Sequence, residues 1–297
     1  MSAATFFGPM RVPFLALVPA CILLGVACAA LRGGAIAWAD ALLAFIGGLA
    51  AHVAVNALNE WDDFRSGVDL RTARTPFSGG SGTLPAHPEA SRGALGVAIA
   101  ATLVTVAVGL RFLLLWGWAL LPLGLLGLLA ILLYTRWLTR SPLLCLLAPG
   151  LGFGPCMVMG TDFVLTGSYS LAAALASLVP FFLVSDLLLL NQFPDTAADA
   201  TSGRRHLIIV HGPTAGVRVY GLFLAGAYLS LISGVALGTL PWPALLGLLT
   251  APLALAAWQG ARRHHANIPA LIPVMGRNVL INLATPLLIA LGIFLGR

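Results

Sequence analysis

Residues 35–58 read AIAWADALLAFIGGLAAHVAVNAL, and residues 59–69 continue directly as NEWDDFRSGVD. Wound as a helix, the first stretch is long enough to cross about 30 Å of hydrocarbon. The second then brings a knot of carboxylates to the membrane boundary, because Asp and Glu are costly to hold within it. The pattern recurs: an apolar run over 169–190 is followed by NQFPDTAAD at 191–199.

The rest of the chain agrees with a membrane reading. Of 297 residues, 59% are hydrophobic and 9% charged, which excludes a water-soluble globule. A mean hydropathy of +0.97 points the same way. Apolar runs fall near 12–31, 35–58, 93–110, 112–134, 142–160, 169–190, 219–238, 241–259 and 278–296. This predicts an all-α polytopic protein: nine transmembrane helices in a single domain over 1–297, arranged as two similar four-helix halves plus one helix. The third and fourth runs, and the seventh and eighth, are nearly continuous and predict tight hairpins. The long connections are then 59–92, 191–218 and 260–277. Arg11 ahead of the first run imitates a secretory signal, but the run is long and lacks a cleavage site, so it reads as a retained span.

All sixteen basic residues are Arg. With nine spans, Arg11 shares a side with almost all of them, and only Arg32, Arg111 and Arg297 fall on the other. The Arg-rich side should be cytoplasmic. That predicts a multi-pass protein of the cell (inner) membrane, with its N-terminus and acidic clusters facing the cytoplasm. In so apolar a chain the basic excess marks orientation rather than nucleic-acid binding. Cys21, Cys28, Cys145 and Cys156 show no ligand spacing and read as small buried residues.

Seven of the ten acidic residues lie in the two stretches: Glu60, Asp62, Asp63 and Asp69, then Asp186, Asp195 and Asp199. Each stretch contains N-x-x-x-D and is followed within about ten residues by Gly and Arg. On a helix, Asn59 and Asp63 share a face, as do Asn191, Asp195 and Asp199. Clustered carboxylates at the end of an apolar helix repel one another and require a cation between them. Carboxylate and amide oxygens suit a hard ion, and Mg²⁺ commonly bridges carboxylates to phosphate oxygens. The interleaved Arg point to a phosphate or diphosphate as the other ligand. Two acidic arms, a divalent ion on each and Arg at the rim suit the ionisation of an allylic diphosphate whose tail stays in the bilayer. Asp62 faces about 100° away from Asp63, so solvent exposure and ligation are equally open to it. Asp186 lies deeper and either lines a cavity or bonds a neighbouring helix. His52, His206, His211, His264 and His265 read as interfacial polar residues more readily than as acids or bases.

At these residues the chain resembles the UbiA superfamily of intramembrane prenyltransferases. The first signature, N-D-x-x-D with a further Asp, is similar to Asn59-Glu60-Trp61-Asp62-Asp63 with Asp69. The second, D-x-x-x-D, is similar to Asp195 through Asp199. Glu60 stands where the family has Asp, and accompanying Lys residues are absent, leaving Arg136, Arg140 and Arg204 as replacements. Asp63-Phe64-Arg65-Ser66-Gly67-Val68-Asp69 followed by Arg74-Thr75-Pro76 most resembles 1,4-dihydroxy-2-naphthoate polyprenyltransferases of menaquinone, a quinone, synthesis. The resemblance implies a polyprenyl diphosphate donor, an aromatic acceptor and Mg²⁺ as cofactor. Asp63, Asp69, Asp195 and Asp199, with Asn59 and Asn191, would hold two metal ions. Arg74 and Arg204, and less centrally Arg71, Arg136 and Arg205, would bind the diphosphate. Tyr134, Trp61 and Phe193 would shield the carbocation.

Alternatives keep the site and change the acceptor to 4-hydroxybenzoate, homogentisate, haem or a chlorophyll precursor, or drop it, as in a terpene cyclase. A cation-coupled secondary transporter belongs to another class, and it is disfavoured because the acids cluster at one face rather than at mid-bilayer. A CDP-alcohol phosphotransferase would need D-G-x-x-A-R, which is missing.

Overall fold

The computed structural model describes residues 3–297. Among them, eight helical stretches are long and apolar enough to cross a membrane. They are α1 (Val12–Ala30), α2 (Trp38–Ser66), α3 (Pro88–Leu133), α4 (Pro142–Thr166), α5 (Leu171–Thr201), α6 (Leu207–Ala236), α7 (Trp242–His264) and α8 (Ile268–Gly296). No strand occurs among the described residues, so the protein is all-α.

The two runs at 93–110 and 112–134 lie in one 46-residue stretch, α3. It turns at Gly117, whose φ of 74° and ψ of −165° end the α-helix that begins at Ser91. Such a length would extend about 69 Å if straight, more than twice the hydrocarbon thickness. The structure corrects the three long connections. Helix α2 continues to Ser66, α5 to Thr201 and α7 to His264, while α6 begins at Leu207 and α8 at Ile268. Polar residues mark where hydrocarbon ends, not where the helix ends. Both acidic motifs are therefore helical up to Asp63 and Asp199. The expected 191–218 loop shrinks to a short turn plus a kink in α6, where Gly212 leaves helical φ/ψ ahead of Pro213.

Helices α2 and α5 close with the same device. At the end of α2, Gly67 adopts φ 75°, the Gly67 amide donates to Phe64 O at 3.1 Å, and the Val68 amide donates to Asp63 O at 3.1 Å. At the end of α5, Gly203 adopts φ 79°, and the Gly203 and Arg204 amides donate to Ala200 O at 3.4 Å and Asp199 O at 3.3 Å. Both are Schellman closures, in which a glycine with positive φ lets the chain double back and satisfy the last carbonyls. The reversal returns Asp69 toward Asp63 in one case and Arg204 toward Asp199 in the other.

Helix α5 forms the centre of the bundle, packed by α1, α4, α6 and α8, with Leu183, Leu189 and Leu190 fully buried. Close approach of α4 depends on small residues. A Cβ on Gly154 would come within 2.4 Å of Ser177 O, and one on Gly150 within 2.1 Å of Phe181 O. Just beyond Pro149, α4 widens into a π stretch over Gly152–Met159, which contains Pro155. At the end remote from the acidic motifs, two Arg face acids: Arg32 lies 3.9 Å from Asp162 and Arg111 lies 4.0 Å from Asp40.

Candidate active site

The two acidic arms meet. Arg204, brought round by the α5 closure, places Nη1 2.7 Å from Asp199 Oδ1, and its Nη2 donates to Asp63 Oδ1. One guanidinium thus joins Asp199, 5 positions before it in sequence, to Asp63, 141 positions before it. It neutralises two buried carboxylates. Burial opposes the charge on Arg204, but Asp63 and Asp199 more than offset it and hold the guanidinium above its ordinary range. His206 lies on the far side of Asp199, with Nε2 3.4 Å from Oδ2, and is 1% exposed. This corrects the interfacial reading of His206: it is buried against an acidic arm.

The turn after α2 adds the Gly-rich segment at 78–82. The Gly79 amide donates to Asp195 Oδ2 at 3.2 Å. The Ser81 amide and hydroxyl donate to Glu60 at 2.6 and 2.7 Å, and Arg11 Nε donates to Glu60 Oε1 at 2.8 Å. Glu60 is fully buried and committed to this network, which explains why a longer side chain stands there: it reaches the loop and the N-terminal segment. Asp69 is buried beside the same groups, and burial, then Asp63 and Glu60, push its carboxyl up to about 7.

These side chains line a polar cavity of about 90 Å³ that contains Asn59, Asp63, Asp69, Asn191, Asp195, Asp199 and Arg204. It adjoins an apolar cavity of about 380 Å³ between α2, α3 and α4. Arg11, Asn59, Tyr134 and Leu188 border both.

The remaining candidates lie outside the polar cavity. Arg136 is exposed and grips Asp62 with Nε and Nη2, at 3.0 and 2.8 Å. Arg71 is exposed and donates to Thr201 Oγ1 at 3.3 Å. Arg74 donates to the Ser81 carbonyl within the Gly-rich segment. Asp186 is fully buried in α5, and neither carboxylate oxygen has a hydrogen-bond partner among the described residues. It therefore makes no hydrogen bond to a neighbouring helix, and it lines neither of the two cavities. Sequence reasoning gives Arg11 no role beyond orientation. Its signal is a single charge ahead of the first span, and nothing local reveals that it folds back onto Glu60.

No ready-made cluster of three or more His, Cys, Asp or Glu in metal-holding arrangement exists among the described residues. The donor set nevertheless fits a hard cation. Asp69 Oδ2, Asn191 Oδ1 and Asp195 Oδ1 are buried acceptors with no partner among the described residues, and all three residues border the polar cavity. Acceptors with no donor available are costly unless a cation arrives.

A model of the UbiA prenyltransferase family matches residues 17–279, which includes both arms. The chain belongs to this family. The 1,4-dihydroxy-2-naphthoate octaprenyltransferase of Bacillus subtilis (strain 168) is 27% identical over 197 residues, 64% of this chain and 61% of that protein. The chain thus matches less than two thirds of that relative's length. A UbiA homologue from Aeropyrum pernix K1, solved in its apo form, has a TM-score of 0.66 at 21% identity, covering 94% of this chain and 97% of that one. A UbiA homologue from Archaeoglobus fulgidus, solved bound to DMAPP and Mg²⁺, has a TM-score of 0.58 at 14% identity, covering 96% and 99%. At these identities the structural likeness establishes the UbiA fold.

Proposed function

We propose that this UbiA-family chain transfers a polyprenyl group from an allylic diphosphate to an aromatic acceptor within the membrane, with 1,4-dihydroxy-2-naphthoate as the acceptor. The observation that carries this reading is the meeting of both acidic arms at the mouth of an apolar cavity. A diphosphate needs the first environment and a prenyl chain the second. The naphthoate assignment rests on the Bacillus subtilis relative and on the Asp63-to-Asp69 spacing.

Asp63, Asp69, Asp195 and Asp199, with Asn59 and Asn191, would hold Mg²⁺, which when bound supplies positive charge against the leaving diphosphate. Arg204 sits between the arms with guanidinium hydrogens that can turn to diphosphate oxygens. Arg11 lines both cavities and carries the same capacity, although Glu60 engages its Nε. The Ser81 and Gly79 amides fix two carboxylates in place, so the site is held from the backbone. Breaking the allylic C–O bond releases diphosphate and leaves a carbocation in the chamber, whose apolar walls exclude water; the electron-rich ring attacks it, and the attacked ring carbon then gives up its proton to restore aromaticity. Tyr134 stands at the boundary, where its π face can meet that charge. By the Arg distribution this site faces the cytoplasm across the inner membrane.

The test is product formation by purified protein from radiolabelled geranyl diphosphate, 1,4-dihydroxy-2-naphthoate and Mg²⁺. The reading predicts a labelled prenylated naphthoate and a loss of at least about 100-fold in Asp195→Ala. Wild-type protein that neither forms product nor releases diphosphate would contradict it.

A further inference from the structure

The apolar cavity has one polar ladder on its wall. His52, Asn56 and Asn59 all border it, and their spacing of four and three puts them on one face of α2. His52 lies eleven residues before Asp63, about 16 Å along the helix axis from the acidic arm. It is 7% exposed, and its Nδ1 has no hydrogen-bond partner among the described residues. Its ring stands edge-on to Phe153 at 4.9 Å between centroids. Asn56, which borders the same cavity, donates an amide hydrogen to the Met10 carbonyl at 3.0 Å, so its side-chain carbonyl is the group left to accept from a ligand.

A buried imidazole nitrogen without a partner is costly, and histidines in a packed interior ordinarily find one. Here the space beside it is the cavity. The donor cannot satisfy it, because a polyprenyl chain has no hydrogen-bonding group apart from its diphosphate, which belongs with the carboxylates at the other end of the ladder. An aromatic acceptor can. For attack, its reacting carbon must stand about 3–3.5 Å from the allylic carbon next to the diphosphate. A hydroxyl on the far side of that ring then points deeper, along the wall that carries Asn56 and His52. Phe153 supplies an aromatic face or edge against the ring at the same level.

We propose that His52 and Asn56 form the acceptor subsite, taking hydrogen bonds from ring hydroxyls of a phenolic or naphtholic acceptor. The proposal rests on the prenyl-transfer reading for its biological meaning, but not for its measurement. A hydroxyl that donates to His52 also leaves more electron density on the ring, so binding and nucleophilicity work together.

Equilibrium binding of tritiated 1-naphthol and of 1-methoxynaphthalene to the purified full chain tests it, without metal or donor. The two probes share a ring system, but only the first can donate a hydrogen bond. Wild-type protein should prefer 1-naphthol by about tenfold. His52→Phe should bring the two affinities together, whereas His52→Gln, which keeps a hydrogen-bonding group, should retain a preference. His52→Leu serves the same purpose if the Phe variant fails to fold. Equal affinities in wild-type protein, or an undiminished preference in the Phe and Leu variants, would overturn the subsite. Metal-dependent diphosphate release by wild-type protein is measured alongside. Its absence would count against prenyl transfer and leave the binding result to stand by itself.

Discussion

At the scale of single residues, Arg204 carries two loads. It is the cation that makes Asp63 and Asp199 tolerable together, and in the proposed reaction it also donates to the diphosphate. Removing one member of a buried charge network leaves the others uncompensated, at about 3–5 kcal/mol. Arg204→Ala should therefore lower the melting temperature of metal-free protein, and Mg²⁺ should close part of the gap by taking over the same charge. Thermal unfolding in detergent with and without Mg²⁺ measures this, and an identical deficit in both conditions would refute the shared-charge argument. Substrate titration adds a second arm: the KM for prenyl diphosphate should rise about tenfold or more. The carboxylates were legible in the sequence because acids at the end of an apolar helix have few bland explanations. Arg11 and His206 were not, nor was the bonding of Glu60 to Ser81 and Arg11, since each depends on a contact between distant segments that no local pattern encodes.

At the scale of elements, the two glycine closures decide where the arms point. Nothing lies within 4 Å of a Cβ built on Gly67 or Gly203, so alanine there meets backbone strain alone. Each substitution should cost about 1–2 kcal/mol. Gly154→Ala meets Ser177 O at 2.4 Å and should cost more, because the α4–α5 approach must open. Comparing the unfolding midpoints of these three variants checks the order, and an equal or smaller loss for Gly154→Ala would show that α4 and α5 are not tightly apposed. Hydropathy revealed the helices but placed their ends too early around the site. The Asn, Gln and Asp residues at 59–63 and 191–199 leave the hydrocarbon while continuing the helix, and Pro194 sits inside α5 without ending it. The Gly residues at 67 and 203 were the better signal, since positive φ is what a helix stop of this kind demands.

At the scale of the whole molecule, charge sorts the two ends. The end with the acidic arms also carries Arg11, Arg71, Arg74, Arg136 and Arg204, whereas Arg32 and Arg111 at the other end each lie near an acid. On the positive-inside rule, the proposed orientation puts the arms on the cytoplasmic side. In intact cells, a membrane-impermeant maleimide should label a cysteine introduced at Gly34 and spare one introduced at Ser202, with both labelled after permeabilisation. The native thiols of Cys21, Cys28 and Cys145 are buried, and the partly exposed Cys156 is replaced by Ala in both variants so that it does not obscure the result. The reverse pattern would invert the molecule.

In the proposed reaction both arms together hold a metal-bound diphosphate. Mn²⁺ shares the oxygen preference of Mg²⁺ and is paramagnetic, so electron–nuclear double resonance on protein with Mn²⁺ and geranyl diphosphate reports it directly. The account predicts phosphorus coupling to protein-bound Mn²⁺ in the wild type and its loss in both Asp63→Asn and Asp195→Asn. Coupling that survives in either variant would contradict it.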